Sequence, residues 1–167
     1  MTWQGELEGP EATTGFGAAL APWLREGDVL LLHGDLGAGK TTLVKGIAAA
    51  LGVGGVVSSP SFGLVNEYDT GLLQQVPRLY HLDLFRLEDE DELASIGLAD
   101  LLAPTDGVTL VEWPERAVAH LPDRYLLIEL EFAGPDRRRI RITPVPAANW
   151  ESRAADLRAR LSALAQT

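Results

Sequence analysis

Apolar positions along the chain occur either in short runs, which are typical of buried strands, or at helical spacing, which is typical of amphipathic helices. The runs predict strands over 3–7, 29–32, 62–68, 78–84, 108–111, 125–132 and 139–142. The helical spacing predicts a helix over 11–24, another over 42–51, a short helical pair over 89–102 and a last helix over 150–164. Strands that alternate with helices early and form hairpins late predict a three-layer α/β domain with a mixed, mainly parallel central sheet flanked by helices.

The connection between the second predicted strand and the second predicted helix carries the most specific chemistry. Residues 34–41 fit the phosphate-binding loop pattern G-x-x-x-x-G-K-[ST] at every fixed position, with an apolar strand before and a helix after. Glycines allow backbone amides to surround an anion, and the positive end of the following helix strengthens that field. Lys40 is expected to reach the β- and γ-phosphates, and the Thr41 hydroxyl to bind Mg²⁺. The loop therefore predicts a nucleoside triphosphate site and a P-loop NTPase fold.

Such a loop needs acidic partners that hold the metal ion and position an attacking water. Asp83 and Glu112 each follow an apolar strand, so both are expected at the carboxyl edge of the sheet. Their individual roles stay open at this stage. Trp113, directly after Glu112, either flanks the nucleotide or packs under the loop, and packing is the favoured interpretation. His81 is interpreted as a structural histidine.

Composition narrows the classes of function. Apolar residues make up 46% of the 167 positions and charged residues 23%, which suits one soluble domain over residues 1–167. No apolar run is long enough to span a membrane, and no leader is recognised. The net charge of −10 argues against strong autonomous binding to nucleic acid. With no cysteine, disulfides and thiolate metal sites are excluded.

Two charged runs in the sequence have ordinary interpretations. The acids at 88–92 face different directions on a helix start, where negative charge is favourable, so a metal site is rejected there. The arginines at 137–139 and 141 are interpreted mainly as a solvated edge strand whose charges discourage pairing, although one of them could face a nucleotide or a partner.

An ordered set of blocks resembles the bacterial TsaE (YjeE) family of tRNA threonylcarbamoyladenosine biosynthesis ATPases. The resemblance runs from Glu11 to the Arg138 region. It rests on the blocks 34–42 (GDLGAGKTT), 59–62 (SPSF), 64–68 (LVNEY), 81–87 (HLDLFRL), 92–93 (EL), 96–97 (IG) and 111–116 (VEWPER). A phosphate loop alone is shared by many families, whereas this series is far more specific.

The resemblance implies a cytoplasmic, Mg²⁺-dependent ATPase that binds ATP and ADP. It also implies work with the partner proteins TsaD and TsaB in forming threonylcarbamoyladenosine at position 37 of tRNAs that read codons beginning with A. Contact with tRNA would be indirect, through that complex, and no membrane is involved. Carried over by motif, the catalytic residues are Asp83, Glu112 and Lys40, and the metal is held by Thr41 and Glu112. The nucleotide would contact Thr13, Asp35, Leu36, Gly37, Ala38, Gly39, Lys40, Thr41, Thr42, Trp113 and Arg138.

Departures from the family pattern fall outside the phosphate cradle. Ser61 stands where threonine is usual and keeps the hydroxyl, whereas Phe85 replaces a usual tyrosine and lacks its hydroxyl. Gly63 stands where a polar or bulkier residue is common. Loop 58–62 is a candidate switch that senses the γ-phosphate. The alternatives are a small-molecule kinase, which should carry an arginine-rich lid, and a nucleotide-gated binding module without useful turnover.

Overall fold

The computed structural model describes residues 2–60, 63–71 and 75–164. Seven strands run Trp3–Glu8 (β1), Val29–His33 (β2), Val65–Asp69 (β3), Arg78–Asp83 (β4), Gly107–Glu112 (β5), Tyr125–Phe132 (β6) and Arg137–Val145 (β7). The α-helices run Gly9–Leu20 (α1), Lys40–Ala50 (α2), Glu90–Ser95 (α3), Leu98–Leu101 (α4) and Glu151–Leu164 (α5). Short 3₁₀ segments cover Ala21–Trp23, Pro114–His120 and Ala147–Trp150.

The strands form one mixed sheet in the order β1-β7-β6-β2-β5-β4-β3. The central pairs β6–β2, β2–β5 and β5–β4 are parallel, and the outer pairs are antiparallel. The predicted mixed sheet with a parallel centre is confirmed. Parallel strands place their carboxyl ends at one edge, which is where ligands bind in open α/β sheets.

Helices cover both faces of the sheet. One core cluster combines Leu30 and Leu110 with residues of α1, α2 and α5, such as Phe16, Leu43 and Leu157. The opposite face buries alternate residues of the same strands against α3 and α4. This alternation follows from the two-residue period of a strand. Within the described part of the chain, no helix has both the length and the apolar character needed to cross a membrane.

Helices α1 and α2 meet through main-chain contact at two glycines. A Cβ atom built on Gly46 would lie 2.1 Å from the Thr14 carbonyl oxygen, and one on Gly17 would lie 2.5 Å from the Leu43 carbonyl oxygen. A side chain at either position would push the helices apart, so the glycines allow the close approach.

Most predicted elements appear, with shifted ends. The helix predicted over 11–24 is α-helical only to Leu20, and the strand predicted over 62–68 is observed from Val65. The interpretation of the arginine run as an edge strand is wrong. β7 lies between β1 and β6, and Arg137 and Arg139 form ion pairs with Glu6 of β1 at 3.6 Å.

Candidate functional site

The phosphate loop, residues 34–39, joins β2 to α2 at the carboxyl edge of the sheet. Gly37 and Gly39 have φ values of +79° and +107°, a region that glycine tolerates and other residues rarely adopt. Gly39 is the N-cap of α2, and no side chain caps that helix end. The first amides of α2 therefore remain available to an anion.

A cavity of about 220 Å³ opens above this helix end. It is lined by Leu36, Gly37, Gly39, Lys40, Thr41, Thr42, Ser59, Asp83, Phe85, Glu112 and Trp113. The loop, the two strand-end acids and the tryptophan thus share one opening.

Lys40 is buried beside the loop, with 4% of its surface exposed. Its Nζ donates hydrogen bonds to the carbonyl oxygens of Gly34 and Asp35, the latter at 3.0 Å, and lies 4.2 Å from the centre of the Trp113 ring. Burial lowers the pKa of Lys40 below its ordinary value, while the charges of nearby carboxylates, Glu112 first, act to raise it. The ammonium group is held by neutral carbonyls and a ring face, which leaves its charge available to an anionic ligand.

Glu112 ends β5 and is only 3% exposed. Thr41 Oγ1 donates to Glu112 Oε1 at 2.8 Å, and its distance to Oε2 is 3.1 Å. Because a hydroxyl carries one proton, the 3.1 Å contact between Thr41 Oγ1 and Ser59 Oγ then has Ser59 as donor. A hydroxyl and a carboxylate are thereby fixed side by side at the cavity wall.

Asp83 ends β4 directly opposite Glu112 in the parallel pair. Its Oδ1 accepts a hydrogen bond from the Phe85 backbone N–H at 3.0 Å, and the side chain is half-buried at the cavity. Asp83 is therefore more open to the cavity than Glu112. The strand register brings the two predicted acids together.

The Thr41–Glu112 pair fits a magnesium ion. Mg²⁺ prefers oxygen ligands and commonly keeps several waters, with one or two protein ligands plus phosphate oxygens. Among the residues that the structure describes, no group of three His, Cys, Asp or Glu side chains could hold a metal ion by itself. Thr41 and Glu112 are thus the two side chains that would hold such an ion, together with ligand and water oxygens.

A second cavity of about 120 Å³ lies on the other side of the loop. It is lined by Gly9, Pro10, Thr13, Gly37, Ala38, Gly39, Thr42, Asp136 and Arg138. The Arg138 guanidinium stacks 4.3 Å from the centre of the Phe132 ring, and Thr13 is 2% exposed. Since neighbouring side chains alternate along β7, Arg138 faces the loop, whereas Arg137 and Arg139 pair with Glu6.

Trp113 adopts the left-handed backbone conformation, with φ of 59° and ψ of 48°. Among the described residues it is the only one other than glycine with positive φ. Such a conformation costs about 1–3 kcal/mol and is concentrated at functional sites. The Phe85 ring packs against Trp113 at 4.9 Å between centroids. Trp113 therefore packs on its neighbours and also forms a wall of the cavity.

One predicted contact residue does not line either cavity, and the candidate switch is only partly described. Asp35 is exposed and lines neither opening, and it meets Lys40 through its backbone carbonyl. Of the candidate switch over 58–62, Ser61 and Phe62 lie outside the described residues. Ser59 does reach the site, through Thr41.

Sequence reasoning underrated one residue. His81 is fully buried, and its Nε2 lies 2.8 Å from Glu112 Oε1. The signal in the sequence is the spacing of His81 and Asp83. Residues two apart on a strand lie on the same face, so His81 shares a face with Asp83, which pairs in register with Glu112.

Comparison with known proteins gives a consistent assignment. Residues 7–140 match the family model described as threonylcarbamoyl adenosine biosynthesis protein TsaE. A relative from Bacillus subtilis strain 168, named tRNA threonylcarbamoyladenosine biosynthesis protein TsaE, is 44% identical over 81% of this chain and 82% of its own length. A protein of the same name from Nostoc is 40% identical over 83% of each chain.

Structural comparison agrees with the sequence relatives. The crystal structure of YdiB from Bacillus subtilis superimposes with a TM-score of 0.74 at 34% identity and covers 95% of both chains. A match over 95% of this chain extends past residue 140, where the match to the family model ends. On the site geometry, the family match and these relatives together, the chain belongs to the TsaE family.

Proposed function

We propose that this chain binds Mg·ATP and hydrolyses it to ADP and phosphate in the service of tRNA threonylcarbamoyladenosine formation. The observation that carries the proposal is the uncapped start of α2 facing a cavity shared by Lys40, the Thr41–Glu112 pair and Asp83. An uncapped helix start and a lysine suit a polyphosphate, and a hydroxyl beside a carboxylate suits its metal ion. The names of the relatives supply the pathway.

The two acids have different surroundings, and these support different roles. Glu112 is buried and engaged by Thr41 and His81, so it holds the metal ion directly or through water. When bound, Mg²⁺ neutralises developing charge on the phosphate oxygens. Asp83 is half-buried at the cavity and accepts a hydrogen bond from the Phe85 backbone N–H, so it orients the water that attacks the γ-phosphorus. The attack breaks the bridging P–O bond and releases ADP and phosphate.

The nucleotide's remaining contacts come from the second cavity. Thr13 and Arg138 lie beside the loop glycines there, on the side of the loop away from the acids. We assign this cavity to the part of the nucleotide that does not react. The phosphate loop lies between the two cavities. It would hold the phosphates that connect the non-reacting part of the nucleotide, in the second cavity, to the reacting part in the first.

The first test uses the two lysines of α2. Lys40→Ala should abolish nucleotide binding, measured by calorimetric titration with Mg·ATP and Mg·ADP. Lys45→Ala is the matched control, because Lys45 is exposed on the same helix and lines neither cavity. Wild-type affinity in Lys40→Ala would refute the assignment.

The partner assignment is tested separately. We propose that the chain acts in the cytoplasm with TsaD and TsaB and reaches tRNA only through them, in keeping with its net charge of −10. A pull-down of TsaB and TsaD should depend on ATP in the wild type and lose that dependence in Lys40→Ala. Hydrolysis that is slow for the isolated chain and rises sharply with both partners would support an ATPase that resets a complex. Capture of neither partner would contradict this part alone.

A further inference from the structure

His81 is a polar residue at a core position of β4. It pairs in register with Leu110 of β5, lies two residues after Leu79, and is 0% exposed, as both leucines are. Burying an imidazole costs free energy unless its polar atoms are paired. A leucine would satisfy the packing of this layer without that cost, so packing alone does not account for the histidine.

The pairing of the ring is one-sided. Nε2 lies 2.8 Å from Glu112 Oε1, whereas the buried Nδ1 has no hydrogen-bond partner among the described residues. The carboxylate accepts, so Nε2 carries the proton in this bond. Within the part of the chain that the structure describes, the bond to Glu112 is thus the one polar contact that offsets burial of the ring.

The same bond fixes the direction of Glu112. Oε1 accepts from His81 on one side and from the Thr41 hydroxyl at 2.8 Å on the other. Thr41 in turn contacts Ser59 at 3.1 Å. Four elements, namely β4, β5, α2 and the loop after α2, therefore meet in one chain of hydrogen bonds. Without the His81 donor, the Glu112 carboxylate could rotate away from the Thr41 hydroxyl.

We propose that His81 is a positioning residue, which holds Glu112 against Thr41 and thereby sets the affinity of the site for its divalent cation. The inference rests on the proposed Mg²⁺–nucleotide site. Residues that orient a metal ligand by a hydrogen bond, without touching the metal themselves, typically contribute about 10- to 100-fold to metal affinity. His81 does so from a fully buried position and does not itself line the cavity.

The test compares three substitutions of His81 by a readout other than turnover. The affinity for ADP is measured by calorimetry with excess Mg²⁺ and again with EDTA, and the ratio of the two affinities reports the coupling to the metal. His81→Leu should reduce that ratio about 10- to 100-fold while affinity in EDTA is unchanged. His81→Gln, whose amide N–H₂ can occupy the position of Nε2, should restore the ratio to within a few-fold. His81→Asn, whose shorter side chain stops near the position of Nδ1, should not.

The outcomes separate two failures. If His81 is purely structural, each of the three variants changes the ADP affinity by the same factor with Mg²⁺ and with EDTA, so the ratio stays at its wild-type value. That result overturns the inference. If His81→Leu does not fold, the contrast between the Gln and Asn variants decides the question. A wild-type protein that binds ADP equally with and without Mg²⁺ overturns the inference alone. A wild-type protein that binds no ADP overturns the proposed function itself.

Discussion

Asp28 and Glu112 are two buried carboxylates at opposite ends of the parallel strands. Asp28 precedes β2 and is 1% exposed, and Glu112 ends β5 and is 3% exposed. Asp28 is matched by Arg153 of α5, whose Nη1 and Nη2 reach its two oxygens at 2.9 and 2.8 Å. Glu112 instead meets the neutral hydroxyl of Thr41 and the ring of His81.

The difference separates a charge that is compensated inside the protein from one that faces the proposed cation site. The Arg153 guanidinium is itself enclosed, because it stacks 3.9 Å from the Trp23 ring, which in turn stacks on Trp150 at 5.4 Å. The charge of Asp28 is therefore compensated inside the protein, in bidentate geometry. The charge of Glu112 faces a cavity and lacks an arginine partner within the described chain, so a bound cation can complete it.

The largest expected effect comes from breaking the first pair. Arg153→Leu removes the bidentate partner of the buried Asp28 and leaves it with the longer 3.5 Å contact to Arg124. The free energy of unfolding should fall by about 3–5 kcal/mol, measured by urea denaturation. Arg160→Ala is the control, because Arg160 is exposed on the same helix and pairs with Asp156 four residues earlier. It should cost no more than about 0.5 kcal/mol. Equal losses of unfolding free energy in the two variants would contradict the claim that the pair of Asp28 with Arg153 stabilises the fold.

Breaking the second site should affect activity rather than stability. Glu112→Gln removes the charge that faces the cation, and turnover should fall by roughly 100-fold or more, about 3 kcal/mol. The free energy of unfolding should stay within about 1 kcal/mol or rise, because a buried charge is removed. Glu115→Gln, an exposed acid three residues later, is the control and should retain turnover. Strong destabilisation by Glu112→Gln would show that Glu112, like Asp28, contributes mainly to stability.

A smaller effect separates the two arginines near Asp28. Arg124 is partly exposed and lies 3.5 Å from Asp28, with its guanidinium 4.0 Å from the centre of the Trp150 ring. Because its charge is screened by solvent, Arg124→Ala should lower the free energy of unfolding by about 1 kcal/mol or less. A loss as large as that of Arg153→Leu would show that the pair with Arg153 alone does not compensate Asp28.

The smallest effect is a shift in pH dependence. Phosphate binding favours the Lys40 ammonium, so ADP affinity should fall as pH rises through the lowered pKa of Lys40. Of the acids that raise this pKa, Glu112 is the strongest, so Glu112→Gln should start the fall at a lower pH. Metal-free calorimetric titrations with ADP at increasing pH measure the shift. An unchanged alkaline limb in Glu112→Gln would show that the Glu112 charge does not act on Lys40.

Local sequence patterns predicted the elements and the phosphate loop because both depend on short-range spacing. The edge-strand interpretation of the arginine run failed because β7 pairs with β1, whose residues come more than a hundred positions earlier. The same pairing decides which arginine faces the loop, since β-strand alternation assigns Arg138 to one face and its neighbours to the other.

The contacts between buried polar residues could not be predicted from the sequence. Asp28 and Arg153 are separated by 125 positions, and nothing local marks either of them as a partner. His81 and Glu112 are separated by 31 positions and meet only because β4 and β5 are adjacent and parallel. Strand order, which follows from the whole fold, decides such contacts.

The main-chain contact between α1 and α2 also affects the smaller of the two cavities at the phosphate loop. α1 carries Thr13 and α2 starts at the phosphate loop, so the spacing of the two helices sets the width of the smaller cavity. Gly17 and Gly46 permit that spacing, because a Cβ atom at either position would meet backbone atoms of the other helix. A single methyl group at position 46 would change the width of this cavity without changing the identity of any residue that lines it.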